Sequence, residues 1–550
     1  MASPRERREI PRAANGNRHF PSWPTTAWLL AAVLGITLFF HLWGIRSDLP
    51  YASGEPIFVA CAREVAASGA LHPTWLGFPG STFIYPLAGI YRVWSVVHGG
   101  PLLGADPRLR AAIESSPAEF YLLGRVLTVV YALLSVIVVY RLGRDVFGER
   151  AAIIATLFAA LYPTDVFTKH VRPDSACVFF AMLAVWRCVR LFDRSSIANH
   201  IWAGVTVGLA ISTKYTLSVI VLVLVLVDVL IVWRQRANGA GLKTAALGSL
   251  AGLTFVPLVF ALTTPYFFLD FATARRDLDF ELLRTTQPGA EGFSPGQNFL
   301  FYLSVLPKLI SWPQLIAALL GIGVAIRQRK LQAMLLLAFA AVLALSISPH
   351  GLHWERWLIP ILPVFALFAG SGVAVALAYT SGRLKLPAPA QAAALVFATA
   401  LCCWSPVAEL VEMDRSFARP STNVVARQWI TANLPHRSHL AFEWDTVPPP
   451  MRALQLGRGL WIARDGGRDN RELAMSHLAV RGSVKTYADQ GYRYLITSSS
   501  SYNYYPTQPE RFPREAAFYT DLLTQGHLLH EVSPAPGQRG PTIRIYEIRP

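Results

Sequence analysis

The chain has 550 residues, of which 53% are hydrophobic and only 15% charged, with a formal net charge of +16. A soluble protein of this length carries about a quarter charged residues, so this composition excludes an ordinary soluble fold. The positive balance does not indicate nucleic acid, because no recognition motif accompanies it and much of it falls in short loops between apolar runs.

In chain order, residues 1–26 form a basic tail with Arg5, Arg7, Arg8, Arg12 and Arg18. The apolar run that follows is too long for a signal-peptide core and lacks a small-residue cleavage site, so it reads as a retained anchor. About eleven apolar stretches are then predicted to cross a bilayer, near 27–45, 120–140, 151–164, 175–192, 201–213, 216–233, 244–264, 299–324, 332–347, 357–379 and 389–411. Runs such as Val219–Val232 are continuous rather than alternating, which excludes a β-barrel. Residues 201–233 are split at Lys214, because a lysine at mid-bilayer is costly unless it lies near an interface.

The short loops alternate in charge. Arg141, Arg144 and Arg150 lie on one side with Arg187, Arg190 and Arg194, with Arg234, Arg236 and Lys243, with Arg327, Arg329 and Lys330, and with Arg383 and Lys385. By the excess of positive charge on cytoplasmic loops, that side and the N-terminus are cytoplasmic. The expected location is therefore a membrane, crossed many times with the N-terminus on the cytoplasmic side.

Two loops on the opposite side are long. Residues 46–118 contain a predicted helix over 55–68, opened by Pro56 and closed by Gly69, and an aromatic segment over 82–98 suited to lying in the interface. Residues 266–298 carry Phe271, Leu278 and Leu282 as an apolar stripe. Residues 413–550 turn polar. Helices are predicted over 421–433 and 513–525 and strands over 439–444, 492–497, 527–532 and 542–548, a small α/β domain that an odd number of spans places outside. The expected architecture is a polytopic α-helical membrane protein, with its membrane domain over 27–411 and a small extracytoplasmic α/β domain at its C-terminus.

Groups capable of chemistry gather on the outer side. Glu55 opens a helix, where the backbone dipole favours a charged carboxylate; it is a candidate base or an ordinary first-turn acid. Lys169, His170 and Arg172 stand beside Asp174, which is either an N-cap or a working carboxylate. Lys214 is either a snorkelling side chain or a contact for a lipid-linked phosphate. The segment His350, His353, Glu355, Arg356 suggests a metal only weakly, and Arg356 is better suited to a phosphate. Five cysteines, four of them in apolar segments, indicate neither disulfides nor zinc. No metal is therefore called, although a divalent ion is not excluded.

Taken together, Gly54-Glu55 with Ala62-Arg-Glu, His72-Pro and Phe78-Pro-Gly-Ser, then Arg172-Pro-Asp174, Gly208-Leu-Ala-Ile-Ser-Thr-Lys214-Tyr and Glu355-Arg-Trp-Leu-Ile-Pro resemble the membrane-embedded GT-C glycosyltransferases. The likeness is to family 39, which includes protein O-mannosyltransferases and bacterial aminoarabinose transferases, and it covers roughly residues 27–380. It implies transfer of a sugar from a polyprenyl-phosphate donor to the hydroxyl of a glycan, lipid or protein of the cell envelope, with inversion, at a bacterial inner (cell) membrane. It makes Glu55 and Asp174 the catalytic acids and Lys214, Arg356, Arg172, Lys169 and His170 the donor-phosphate contacts, with Asp48 and His353 auxiliary. In one respect the chain departs from the family, which has Asp-Glu where this sequence has Gly54-Glu55. Glu55 is taken first as the replacement, ahead of Asp48 and Asp174. A non-catalytic relative that binds lipid-linked sugar, or a membrane transporter, are the competing readings.

Overall fold

The computed structural model describes residues 23–49, 55–78, 80–164, 169–238, 241–286, 294–350, 352–435, 437–443, 445–447, 461–464, 471–475 and 477–548. Residues 1–22 with all five arginines of the basic tail, Gly54 and Pro79 lie outside these. Among the described residues, six helices are long and apolar enough to cross a membrane, or seven if one bent pair counts as a single span. Three shorter apolar helices, Thr26–Leu42, Ile197–Thr213 and Leu331–Ile347, add to them.

Each expected apolar stretch coincides with helix, but two depart from a straight span. Residues 151–164 give only Glu149–Ala160, 12 residues. At 1.5 Å per residue that is roughly 18 Å, well short of a hydrocarbon core of about 30 Å. Residues 299–324 form two helices, Pro295–Ile310 and Trp312–Arg327, bent by 110°. The break falls at Ser311, whose φ of 67° cannot continue a right-handed helix. The Ser311 hydroxyl and the Gln314 amide both donate to the Cys402 carbonyl, at 3.1 and 3.0 Å, so the corner is anchored to the last long helix.

Helices cross closely where glycine faces backbone. A Cβ at Gly372 would lie 1.9 Å from the Ala317 carbonyl oxygen, and one at Gly204 would lie 2.0 Å from that of Gly252. In lipid, where apolar side chains gain little by leaving one another for acyl chains, such close approach is a main source of helix association. The membrane core is built on these contacts, with Phe158, Val185, Phe339, Leu367 and Phe368 buried at its centre.

Above it, the helices Pro56–Ser68, Ser81–Val97 and Pro107–Ser115 pack on the start of the long helix Pro117–Phe147. Their shared core holds Val59, Phe83, Tyr91 and Phe120, all fully buried. The helix Phe271–Thr286 from the second long loop joins them through Asp277, which is buried and accepts from the Leu76 amide at 3.0 Å.

The last long helix runs over Ala388–Phe417, six residues beyond the expected end of the membrane domain, and leads to a six-stranded sheet. The strands are β1 (His439–Glu443), β2 (Trp461–Arg464), β3 (Arg471–Met475), β4 (Tyr494–Ser498), β5 (His527–Val532) and β6 (Ile543–Glu547), in the order β2-β3-β1-β4-β6-β5. Only the central β3, β1 and β4 are mutually parallel. Alternation places Leu440 and Phe442 in one core with Ile430, and Ala441 in the other with Tyr519, so both faces are covered.

Gly372→Leu should abolish the folded, monodisperse species in detergent, because the side chain meets backbone rather than a movable side chain. Gly323→Ala, with nothing within 4 Å, should raise the melting midpoint, since alanine is favoured over glycine in a helix by about 1 kcal/mol.

Candidate active site

Two carboxylates stand at one end of the helical bundle, in opposite circumstances. Glu55 caps the helix Pro56–Ser68 and is fully buried. Arg125, eight residues into the helix Pro117–Phe147, grips it with both arms: Nε donates to one carboxylate oxygen and Nη2 to the other, each at 2.8 Å. The Val171 amide donates to it as well, at 2.7 Å. Burial alone would push the Glu55 carboxyl up, but the charge and hydrogen bonds of Arg125 hold it below the ordinary carboxylate range. A carboxylate so clamped resists taking a proton, which is unfavourable for a general base.

Arg125 reaches further. Its Nη1 donates to the Ile45 and Ser47 carbonyls, at 2.7 and 2.6 Å, fixing the chain that leaves the first helix. Asp48 follows, and it too is engaged: it accepts from the Ser421 amide at 2.8 Å and from Arg539 at 2.6 Å. Arg539 belongs to the C-terminal domain, donates also to the Ser47 hydroxyl at 2.8 Å and stacks on Phe417 at 3.7 Å. Asp48 is thus a joint between domains, and the expectation that it serves as an auxiliary base is not carried forward.

Lys169 is placed differently from expectation. It is buried, pairs with Asp414 at the end of the helix Ala388–Phe417, and donates to the Trp43 carbonyl at 2.9 Å. Its ammonium is neutralised by a side chain 245 residues away, so it ties the first and last long helices together rather than waiting for a phosphate. His170 is likewise buried, against the Phe417 ring at 5.7 Å. Burial lowers its imidazole to about 4; Glu55 opposes this, while Arg125, Arg172 and Arg539 reinforce it.

Asp174 is the other carboxylate. It opens the helix Asp174–Asp193, three residues after the amide that binds Glu55, so the two acids belong to one short segment. Its partner is Lys214, at 3.4 Å, and the Lys214 side chain keeps 20% of its surface exposed. Lys214 sits where the helix Ile197–Thr213 ends: its backbone is extended, and the chain restarts as the 3₁₀ turn Tyr215–Val219. The first long loop pins that break on both sides. Thr213 and Thr82 share a hydrogen bond of 2.6 Å, and the Tyr215 hydroxyl donates to the Leu76 carbonyl at 3.0 Å.

Two further cations lie on the same or a neighbouring element. Arg172 lies two residues before Asp174 and is half-buried. Arg356 is half-buried on the 3₁₀ helix Glu355–Ile361, which packs against the Asp174 helix, and its guanidinium covers the Trp354 ring at 4.2 Å. His353 abuts Phe301 at 4.2 Å. Among the described residues, no group of three or more His, Cys, Asp or Glu is arranged to hold a metal ion.

Sequence reasoning passed over Arg125, Asp414 and Arg539. An arginine inside an apolar helix was a usable signal for the first, since such residues demand a partner; Asp414 and Arg539 lie in polar context and give none.

A family model described as dolichyl-phosphate-mannose-protein mannosyltransferase matches residues 122–267, which include Arg125, Asp174 and Lys214. No curated protein matches the sequence. Among solved structures, the apo oligosaccharyltransferase of Archaeoglobus fulgidus is 12% identical with a TM-score of 0.55, over 92% of this chain and 74% of its own. The AglB oligosaccharyltransferase of the same organism, in complex with an inhibitory peptide and a dolichol-phosphate, is 13% identical with a TM-score of 0.51, over 94% and 74%. ArnT from Cupriavidus metallidurans, in the apo state, is 15% identical with a TM-score of 0.52, over 95% and 98%.

Two outcomes check these assignments. Lys169→Met should destabilise the fold by about 3–5 kcal/mol, because it strands a buried carboxylate, and Lys169→Met with Asp414→Leu should restore most of the loss in detergent melting. For His170, the unfolded chain takes up a proton below pH 6.5 that the folded chain refuses until about 4. Stability is therefore full above 6.5 and falls as pH drops toward 4, and His170→Gln should flatten that part of the melting profile.

Proposed function

With the GT-C membrane glycosyltransferase fold as premise, we propose that this protein transfers a sugar from a polyprenyl-phosphate carrier to a hydroxyl acceptor at the outer face of the membrane. The observation that carries this reading is the Asp174–Lys214 pair, partly exposed on its lysine side, in the stretch matched by the mannosyltransferase model. Acid and base stand side by side there, at the ends of two apolar helices.

The chemistry follows from the charges. Asp174 receives the proton of the acceptor hydroxyl as its oxygen attacks the anomeric carbon, and the bond from that carbon to the phosphate oxygen breaks with inversion. Lys214, with Arg172 and Arg356, meets the charge that collects on the departing prenyl phosphate. Donor approach also loosens the Lys214–Asp174 contact, freeing the carboxylate for its proton. Glu55 acts through Arg125 and the Val171 amide, holding the segment that carries Asp174, and is a positioning residue. His170 and Lys169 support the same segment from below. The outer face follows from the loop charges, since a lipid carrier serves where nucleotide sugars are not at hand.

The position of Gly54, where the resembling family has aspartate, favours one second reading: a protein that binds lipid-linked sugar without transferring it. The full chain in nanodiscs, given a panel of polyprenyl-phosphate sugars, separates the two by release of polyprenyl phosphate. Wild type should release it. Asp174→Asn should lower the rate by about 100-fold or more with unchanged melting, as for loss of a general base. Lys214→Ala should weaken donor binding by about tenfold or more, as for loss of a charged hydrogen bond. Donor bound but never consumed by wild type would establish the non-catalytic reading instead.

A further inference from the structure

A short segment of the first long loop, residues 72–77, lies between the second long loop and the helix break at Lys214. The second loop meets it at several points. Asp270, just before the helix Phe271–Thr286, lies 3.2 Å from Nε2 of His72. The Thr74 amide donates to Nδ1 of the same ring at 3.0 Å, so Nε2 carries the proton that Asp270 accepts. Trp75 sets its ring edge-on to Phe280, with centroids 5.7 Å apart. A Cβ at Gly77 would lie 2.8 Å from the Asp277 carbonyl oxygen, so segment and helix touch backbone to backbone.

Within this contact Leu76 is held from both sides. Its amide donates to Asp277 at 3.0 Å, and its carbonyl accepts from the Tyr215 hydroxyl, also at 3.0 Å. Leu76 and Asp277 are both buried, so water is not at hand to replace the bond between them. The other Asp277 oxygen accepts from Nε and Nη2 of Arg276, at 3.1 and 2.9 Å, and that largely exposed arginine supplies the counter-charge. Further along the same loop, Thr82 shares a hydrogen bond of 2.6 Å with Thr213, and Thr264 donates to Ser81 at 3.1 Å. Lys214 therefore stands between two anchored neighbours, Thr213 before it and Tyr215 after it. Its main chain is fixed in an extended conformation, while its side chain stays partly exposed beside Asp174.

We infer that Asp277 is a positioning residue for Lys214: through Leu76 and Tyr215 it holds the main chain from which the ammonium reaches the donor phosphate. The inference rests on the transferase reading and adds a residue of the second long loop to the donor site. Its physical reason lies in what Lys214 must do. The ammonium exchanges Asp174 for phosphate oxygens, and a long side chain that swings delivers its charge to one place only if its own Cα stays still. Thr82 and Leu76 hold the two residues flanking that Cα, and Asp277 is the far end of the second hold. Asp277 needs no contact with sugar or phosphate for this.

The test is a double-mutant cycle on the binding of polyprenyl phosphate to the full chain in nanodiscs. Lys214→Ala gives the reference loss of about tenfold or more. Asp277→Ala should weaken binding by about fivefold, the worth of one net hydrogen bond. In the Lys214→Ala background it should add less than about twofold, because the group it positions is gone. Asp277→Asn keeps an oxygen for the Leu76 amide and should bind within about twofold of wild type, a rescue that separates the hydrogen bond from the charge. Tyr215→Phe removes one hydroxyl and keeps the ring, which guards against a misfolded Asp277 variant. It should match the loss in Asp277→Ala and likewise add nothing once Lys214 is absent. Equal losses with and without Lys214, or wild-type binding by both Asp277→Ala and Tyr215→Phe, would overturn the inference and leave the transferase reading standing. Wild-type binding by Lys214→Ala would overturn the phosphate role of Lys214, and this inference with it.

Discussion

The two-armed bond between Arg125 and Glu55 organises one end of this protein's helical bundle. Neither charge would survive there alone, since an ionised group removed from water needs a partner of good geometry and further hydrogen bonds. Both conditions are met: two parallel bonds at 2.8 Å, the Val171 amide on one carboxylate oxygen, and the Ile45 and Ser47 carbonyls on the guanidinium. One arginine thereby fixes four stretches of chain that sequence keeps far apart: the exit of the first helix, the first helix of the long loop, the long membrane helix, and the segment leading to Asp174.

That framework explains a division of labour between the carboxylates. Glu55 is ionised, enclosed and fully engaged, properties that make a good brace and a poor base. Asp174 sits on the braced segment but outside the clamp, facing a lysine whose other neighbours leave part of it exposed. Around them, Lys169 with Asp414 and Asp48 with Arg539 attach the last membrane helix and the C-terminal domain to the same spot. The C-terminal domain is thus part of the site's support, and its arginine stacks against Phe417 one turn from Asp414.

Much of the fold was legible because lipid imposes a simple rule: a chain that crosses it must be apolar and helical. The break at Lys214 was readable for the same reason, and the helix does end at Thr213. Helix limits over 513–525 and the strand over 527–532 followed from pattern and turn residues, and the structure gives the same bounds. The strands β2 and β3 were not foreseen: four and five residues long, with arginines in both, they lack the alternation that marks a half-buried strand. The bend at Ser311 was missed because residues 299–324 read as one span, although Pro307, Lys308, Ser311 and Pro313 interrupt the apolar run there. The site was legible in its inventory but not in its pairings. Residue types and membrane sidedness point to Glu55, Lys169, Asp174 and Lys214; which of them are bound to one another depends on contacts 40 to 245 residues apart, and a single sequence carries no mark of these.

The most direct measurement is a structure of the full chain with a polyprenyl-phosphate sugar analogue bound. Asp174 should stand within hydrogen-bonding distance of the acceptor position opposite the phosphate, with Lys214 turned to the phosphate oxygens and the Arg125–Glu55 bond intact. A Glu55 released from Arg125 and facing the anomeric carbon, with Asp174 still paired to Lys214 and away from the sugar, would contradict the account.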